Sequence, residues 1–162
     1  MKRILTIVAT LAISAISFAQ NASGVREDIT SVSSDDKVYE LFTYKDADGM
    51  FGYYLALGAP DAGQSLTSIY LGTDPTEAQR TLDAIVALFE SPSGVSQEFT
   101  ARIITGRTLS GLKTSQAEVQ TMMMGGKRLS FIYGDASSKT ETYMRKNAAK
   151  AVSSGFKQSM KP

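Results

Sequence analysis

Five carboxylates, Asp35, Asp36, Asp46, Asp48 and Asp61, lie within polar stretches in the first half of this 162-residue chain. Two such groups that converge can share acid and base work, provided that one is kept protonated by burial or by its neighbour. A small hydrolase or lyase built on these residues is therefore the enzyme reading open to the chain. Other routes are closed by composition. Histidine and cysteine are both absent, so no imidazole can activate a serine or thiol, and the usual zinc and copper ligand sets cannot be assembled.

Shorter motifs carry less. Ser110-Gly111-Leu112-Lys113 has the spacing of a serine nucleophile with a lysine base, but the same spacing recurs at Ser34 to Lys37 and Ser154 to Lys157. The companion elements of that chemistry are missing. Asp46-Ala47-Asp48-Gly49 opens like a calcium loop, yet the sixth position, which needs glycine, is Phe51. A hairpin turn accounts for this segment better. Gly125-Gly126-Lys127 lacks the earlier glycine of a phosphate loop, Thr121 standing there instead. No cofactor fingerprint is present. These exclusions leave a non-catalytic binding or interaction domain as the leading reading.

Two groups of residues could serve such a role. Met50 to Leu57 and Met122 to Met124 are apolar at successive positions, which in a strand means apolar on both faces. Helices cover only one face of a two-layer domain, so the second face needs a cover of its own. Tyr53, Tyr54, Met122 and Met124 are the candidate contacts there, for an apolar ligand, a protein partner or a second copy of the chain. Tyr53 and Tyr54 must point to opposite faces.

The other group is cationic. Residues 20–98 carry thirteen acidic and four basic side chains, whereas residues 99–162 carry three acidic and eleven basic ones. Arg145, Lys146, Lys150 and Lys157 near the C-terminus are candidates for contact with an anionic surface, such as phosphorylated lipid or polysaccharide. Mutual neutralisation of the two halves is the simpler account of the split. No aromatic residues interleave with these cations to stack on bases, which argues against nucleic acid.

The elements that must position these residues follow from period and punctuation. Lys37 to Tyr44 and Met50 to Leu57 flank an Asp-Gly turn and form a hairpin, with Leu66 to Leu71 as a third strand. Asp74-Pro75 with Glu77 opens a helix whose apolar positions Ala78, Leu82, Ile85, Val86 and Phe89 share one face. Glu98 to Thr105 alternates as a half-buried strand. Glu118 to Met124 and Lys127 to Tyr133 flank Gly125-Gly126, a tight-hairpin signal. A closing helix is expected from Ser138, burying Met144, Ala148, Ala151 and Val152 and stopping at Gly155. The fold class is α+β, a mainly antiparallel sheet with two helices in the order βββα-βββα. Ser68 to Gly72 parallels Ser130 to Gly134 at an offset of 62, a hint of internal duplication.

The first nineteen residues stand apart. Met1-Lys2-Arg3 is basic, Ile4 to Ile16 carries no charge, and Ser17-Phe18-Ala19 offers small residues for a cut before Gln20. This is the layout of a cleavable signal peptide. An apolar run of that length reaches about 20 Å as a helix, short of the ~30 Å hydrocarbon core. The expected organisation is a signal peptide at 1–19, a flexible leader at 20–36 with a short edge strand, and one α+β domain at 37–162. The mature chain, with no transmembrane segment, is expected in the periplasm or outside the cell.

Overall fold

Alternation of apolar and polar residues, broken by turn-forming pairs, builds one long antiparallel meander. A computed structural model of the protein describes residues 24–58, 65–105, 108–134 and 140–161. The signal-peptide segment, Asp61 and Ser138 lie outside those residues.

The strands are β1 (Gly24–Ser34), β2 (Lys37–Asp46), β3 (Phe51–Ala56), β4 (Ser65–Gly72), β5 (Ser96–Thr105), β6 (Thr108–Leu109), β7 (Lys113–Thr121), β8 (Lys127–Tyr133) and β9 (Thr140–Arg145). Helix α1 (Pro75–Leu88) joins β4 to β5, and α2 (Lys146–Ser159) follows β9. The sheet order is β1-β2-β3-β4-β5-β7-β8-β9, with the two-residue β6 paired to β5 alone. Every pairing is antiparallel. The expected α+β class and the order of strands closed by a helix are present in both halves; β1 outgrows the short edge strand expected in the leader, and besides the two-residue β6 the second half gains β9.

The longer β1 and the added β9 have physical causes. β1 occupies most of the expected leader. It is polar because it is an edge strand; of its apolar residues, Ile29 and Val32 pack on the main core and Val25 is exposed. Asp35 and Asp36 close the β1–β2 hairpin with φ of 54° and 60°, the mirror-image turn that matches strand twist. Aspartate tolerates this conformation through local hydrogen bonding. β9 replaces the first turns of the expected closing helix. Thr140, Thr142 and Tyr143 favour extended backbone, and Glu141 takes a hydrogen bond from Ser130 Oγ on β8 instead of capping a helix. Met144 is buried as expected, but from a strand.

Helix α1 forms as its sequence predicts. Asp74 Oδ1 accepts from the backbone N–H of Thr76 at 2.8 Å and of Glu77 at 3.0 Å. Glu77 reaches back to Thr73 N and Oγ1. At the other end, Lys127 Nζ donates to the carbonyls of Phe89 (3.1 Å) and Ser91 (2.7 Å), where the helix dipole favours a cation. Helix α2 does not stop at Gly155 but runs on to Ser159. A Cβ at Gly155 would lie 3.1 Å from Val32 Cγ2, so this glycine lets the helix approach β1 rather than ending it.

One face of the sheet meets both helices. Leu41, Leu55, Ile69, Phe99 and Phe131 from strands pack there with Leu82 and Ile85 of α1 and Val152 and Phe156 of α2. On the opposite face, Phe42, Tyr44, Tyr54 and Ala56 form a second buried cluster, joined by Tyr70 and Leu112. The strands apolar on both sides are therefore covered on both sides, the second time by the chain's own residues. Met122, Met123 and Met124 leave the strand and enter the β7–β8 turn, where Gly125 and Gly126 both have positive φ. Among the described residues, no helix is long and apolar enough to cross a membrane.

Candidate functional site

The sheet curls until its two ends meet. Lys37, the first residue of β2, donates through Nζ to the carbonyl of Tyr143 on β9 at 3.1 Å. Asp35 in the β1–β2 turn pairs with Arg145 at the end of β9, at 3.4 Å. Residues more than a hundred positions apart thus close a seam.

A cleft of about 170 Å³ lies in this seam, lined by Lys37, Arg128 and Arg145 together with Asp35, Tyr39, Tyr143 and Met122. Three cations face one carboxylate. The volume corresponds to about five or six water molecules at ~30 Å³ each, room for a small group of heavy atoms. Arg128 is the best-fixed cation. Its guanidinium lies 3.7 Å from the centroid of the Tyr143 ring, and its Nε donates to Gln120 Oε1 at 3.1 Å. Stacking on an aromatic face and donation along one edge restrain the guanidinium plane.

Burial dominates the electrostatics of Tyr39. It pushes the phenol up to about 12, Asp35 adds to the rise, and Arg145 opposes it. The folded state thus prefers the neutral phenol, so its contribution is intact below the ordinary value near 10 and is lost as pH climbs towards 12. Tyr54 and Tyr70 are raised too, chiefly by burial. Urea unfolding between pH 9 and 12 should show stability falling above pH 10, with Tyr39 accounting for about 2 kcal/mol of the loss. Tyr39→Phe should make the fall shallower, and an unchanged profile in that variant would refute the assignment.

The candidates from sequence scatter. Tyr54 is 3% exposed within the second cluster, while Tyr53 points to the helix side and meets Phe156 edge-on at 5.9 Å. Met124 is fully exposed at the hairpin tip, and Met122 alone of the four reaches the cleft. Of the cations, Arg145 lines the cleft, Lys146 pairs with Glu90, and Lys150 and Lys157 are exposed on α2. Asp35 and Asp36 sit at one end of β2 and Asp46 and Asp48 at the other. That separates the two pairs by roughly 30 Å at ~3.4 Å per residue. The four described carboxylates form no acid–base pair across turns.

The charge split between halves has a structural use. Three of the five ion pairs among the described residues join an acidic residue of the first half to a basic one of the second: Asp46–Arg102, Asp35–Arg145 and Glu90–Lys146. Lys37, Tyr39, Arg128 and Tyr143 are site residues that pattern reading misses. No local spacing links them, and a basic residue just after a hairpin, as Arg128 is, is the faintest of signals. The chain matches no protein-family description, no curated protein and no solved structure.

Proposed function

We propose that this chain is an exported, non-catalytic binding domain that holds a small oxyanion group, a phosphate or sulfate, in the seam cleft. The observation that carries the reading is the convergence of Lys37, Arg128 and Arg145 on one partly open cleft against the single carboxylate of Asp35. Charge-assisted donors of this kind suit oxyanions, and guanidinium groups offer two parallel N–H bonds to them. Export rests on the basic, apolar and small-residue layout of residues 1–19. The aromatic rings of the second sheet face are buried within the chain, so the binding role moves from a bare apolar surface to the seam.

The test is a calorimetric titration of the protein with inorganic phosphate. Saturable one-site binding that weakens with added salt is expected, because a partly exposed cluster of charges is screened. Lys37→Met should weaken it about tenfold, as loss of one charge-assisted bond removes about 1.5 kcal/mol. Binding untouched by Lys37→Met, or none at all, sinks the proposal.

A further inference from the structure

Beside the seam cleft stands an apolar tip with nothing of this chain to pack on. Met122 lines the cleft, and Met123 and Met124 follow it into the β7–β8 turn, where both are fully exposed. The turn is closed by its own bonds. Met122 N–H donates to the Gly126 carbonyl at 3.1 Å, and Gly125 N–H donates to the Met122 carbonyl at 2.9 Å. Gly125 and Gly126 hold φ of 82° and 83°, which glycine adopts at little cost. The tip is therefore a formed projection that carries two bare thioether side chains.

Single apolar side chains on a surface are ordinary, and Val25 and Val95 are of that kind. The β2–β3 turn also shows an apolar pair, Met50 and Phe51, but these are 58% and 41% exposed and Phe51 rests edge-on against Tyr53. That turn begins at Asp46 and Asp48, whereas the β7–β8 tip adjoins a cleft with three cations and one carboxylate. Full exposure next to excess positive charge is the distinguishing combination. A bilayer of anionic phospholipid offers the complement of both, with phosphates at its surface and an apolar phase beneath. Four residues separate Met124 from Arg128, at most about 14 Å of chain. That is the same order as the ~5–10 Å by which interfacial side chains enter the acyl boundary. Methionine, unbranched and flexible, suits so irregular a medium.

We propose that the seam cleft and the β7–β8 tip together dock this protein on anionic phospholipid. Lys37, Arg128 and Arg145 hold a headgroup phosphate, and Met123 and Met124 enter the bilayer beside it. The inference rests on the oxyanion reading of the cleft and names a lipid headgroup as the source of the oxyanion. Two side chains bury little area, so the contact is reversible.

The test uses the exported chain beginning at Gln20, so that the apolar run Ile4 to Ile16 cannot itself enter a vesicle. Vesicles of phosphatidylglycerol are the probe and vesicles of phosphatidylcholine the control. The chain has no tryptophan, so Met124→Trp places a single indole at the tip. Its emission should shift to the blue on phosphatidylglycerol vesicles and stay unchanged with inorganic phosphate, which fills the cleft but supplies no apolar phase. Met123→Ser/Met124→Ser should weaken co-sedimentation with phosphatidylglycerol vesicles about tenfold and leave the phosphate titration as it was. Lys37→Met should weaken vesicle binding about fivefold and reduce phosphate binding as well. Phosphate binding without vesicle binding overturns the membrane inference and leaves the oxyanion cleft standing; loss of both removes the reading beneath it. Equal binding to phosphatidylcholine, vesicle binding untouched by the serine pair, or self-association that the serine pair abolishes would each overturn the inference too.

Discussion

Phe156→Ala is expected to remove about 3–5 kcal/mol of folding stability, the usual cost of deleting a fully buried aromatic side chain. Phe156 is 1% exposed in the main core and meets Tyr53 edge-on. Helix α2 depends on that contact more than most helices would. Its N-cap position is Arg145, which makes no side-chain capping bond, and its first turn has no acidic residue. Fourteen residues without such support are marginal as an isolated helix. Packing therefore holds α2 in place, through Ala148, Ala149, Val152 and Phe156. The helix in turn lies against β1, a polar edge strand with little core of its own. A loss of this size is a third or more of the stability of a typical domain. Hydrogen exchange should show β1 amides losing protection before those of β2, because β2 is held on both sides. Met160→Ala, at a position 38% exposed one residue beyond the helix, should change stability by less than about 0.5 kcal/mol. Equal effects of the two substitutions in urea unfolding would falsify this account of how α2 is held.

That dependence explains which elements could be read from residue order. Helix α1 carries its own instructions: Asp74 and Pro75 start it, and Ala78, Leu82 and Ile85 give it one buried face. The β7–β8 hairpin is written in Gly125-Gly126. β1 is marked only as a short edge strand in a polar leader, because few of its residues are apolar, and its full length comes from pairing with β2 and packing against α2. β9 was masked by a serine three residues before Glu141, a pattern shared with helix starts. Tertiary pairing with β8 decides in favour of the strand. The pentapeptide match at an offset of 62 joins β4 to β8, whereas the strands directly before the helices are β4 and β9. The repeated order of antiparallel strands closed by a helix therefore does not rest on that match. Arg102 illustrates a different obstacle. Alternation places it opposite Phe99 and Ala101, where solvent is the ordinary expectation, and only the aromatic cluster of β2 and β3 turns that face into an interior. The seam is the least legible feature. Its residues come from three separate turns and strand ends, and curling of the whole sheet brings them together.

Arg128→Glu should weaken phosphate binding at the seam at least a hundredfold, or about 3 kcal/mol. The substitution changes the cleft from three cations and one carboxylate to two of each, and it places a carboxylate where the anion's strongest partner stood. Repulsion and loss of a charge-assisted bond then act together. The fold should survive, because Arg128 projects from the face of β8 opposite Leu129 and Phe131, which fill the core. Lys113→Glu makes the same change in total charge from an exposed position at the far end of β7. Eight residues of strand put it roughly 27 Å from the cleft end, several Debye lengths at physiological salt. Its effect should stay below about twofold. Arg128→Lys separates charge from geometry: it keeps the cation but gives up the plane stacked on Tyr143, and a loss of about tenfold is expected. If Lys113→Glu proves as damaging as Arg128→Glu, diffuse attraction to the basic half explains the binding. A graded series from Lys113→Glu through Arg128→Lys to Arg128→Glu locates it in the cleft.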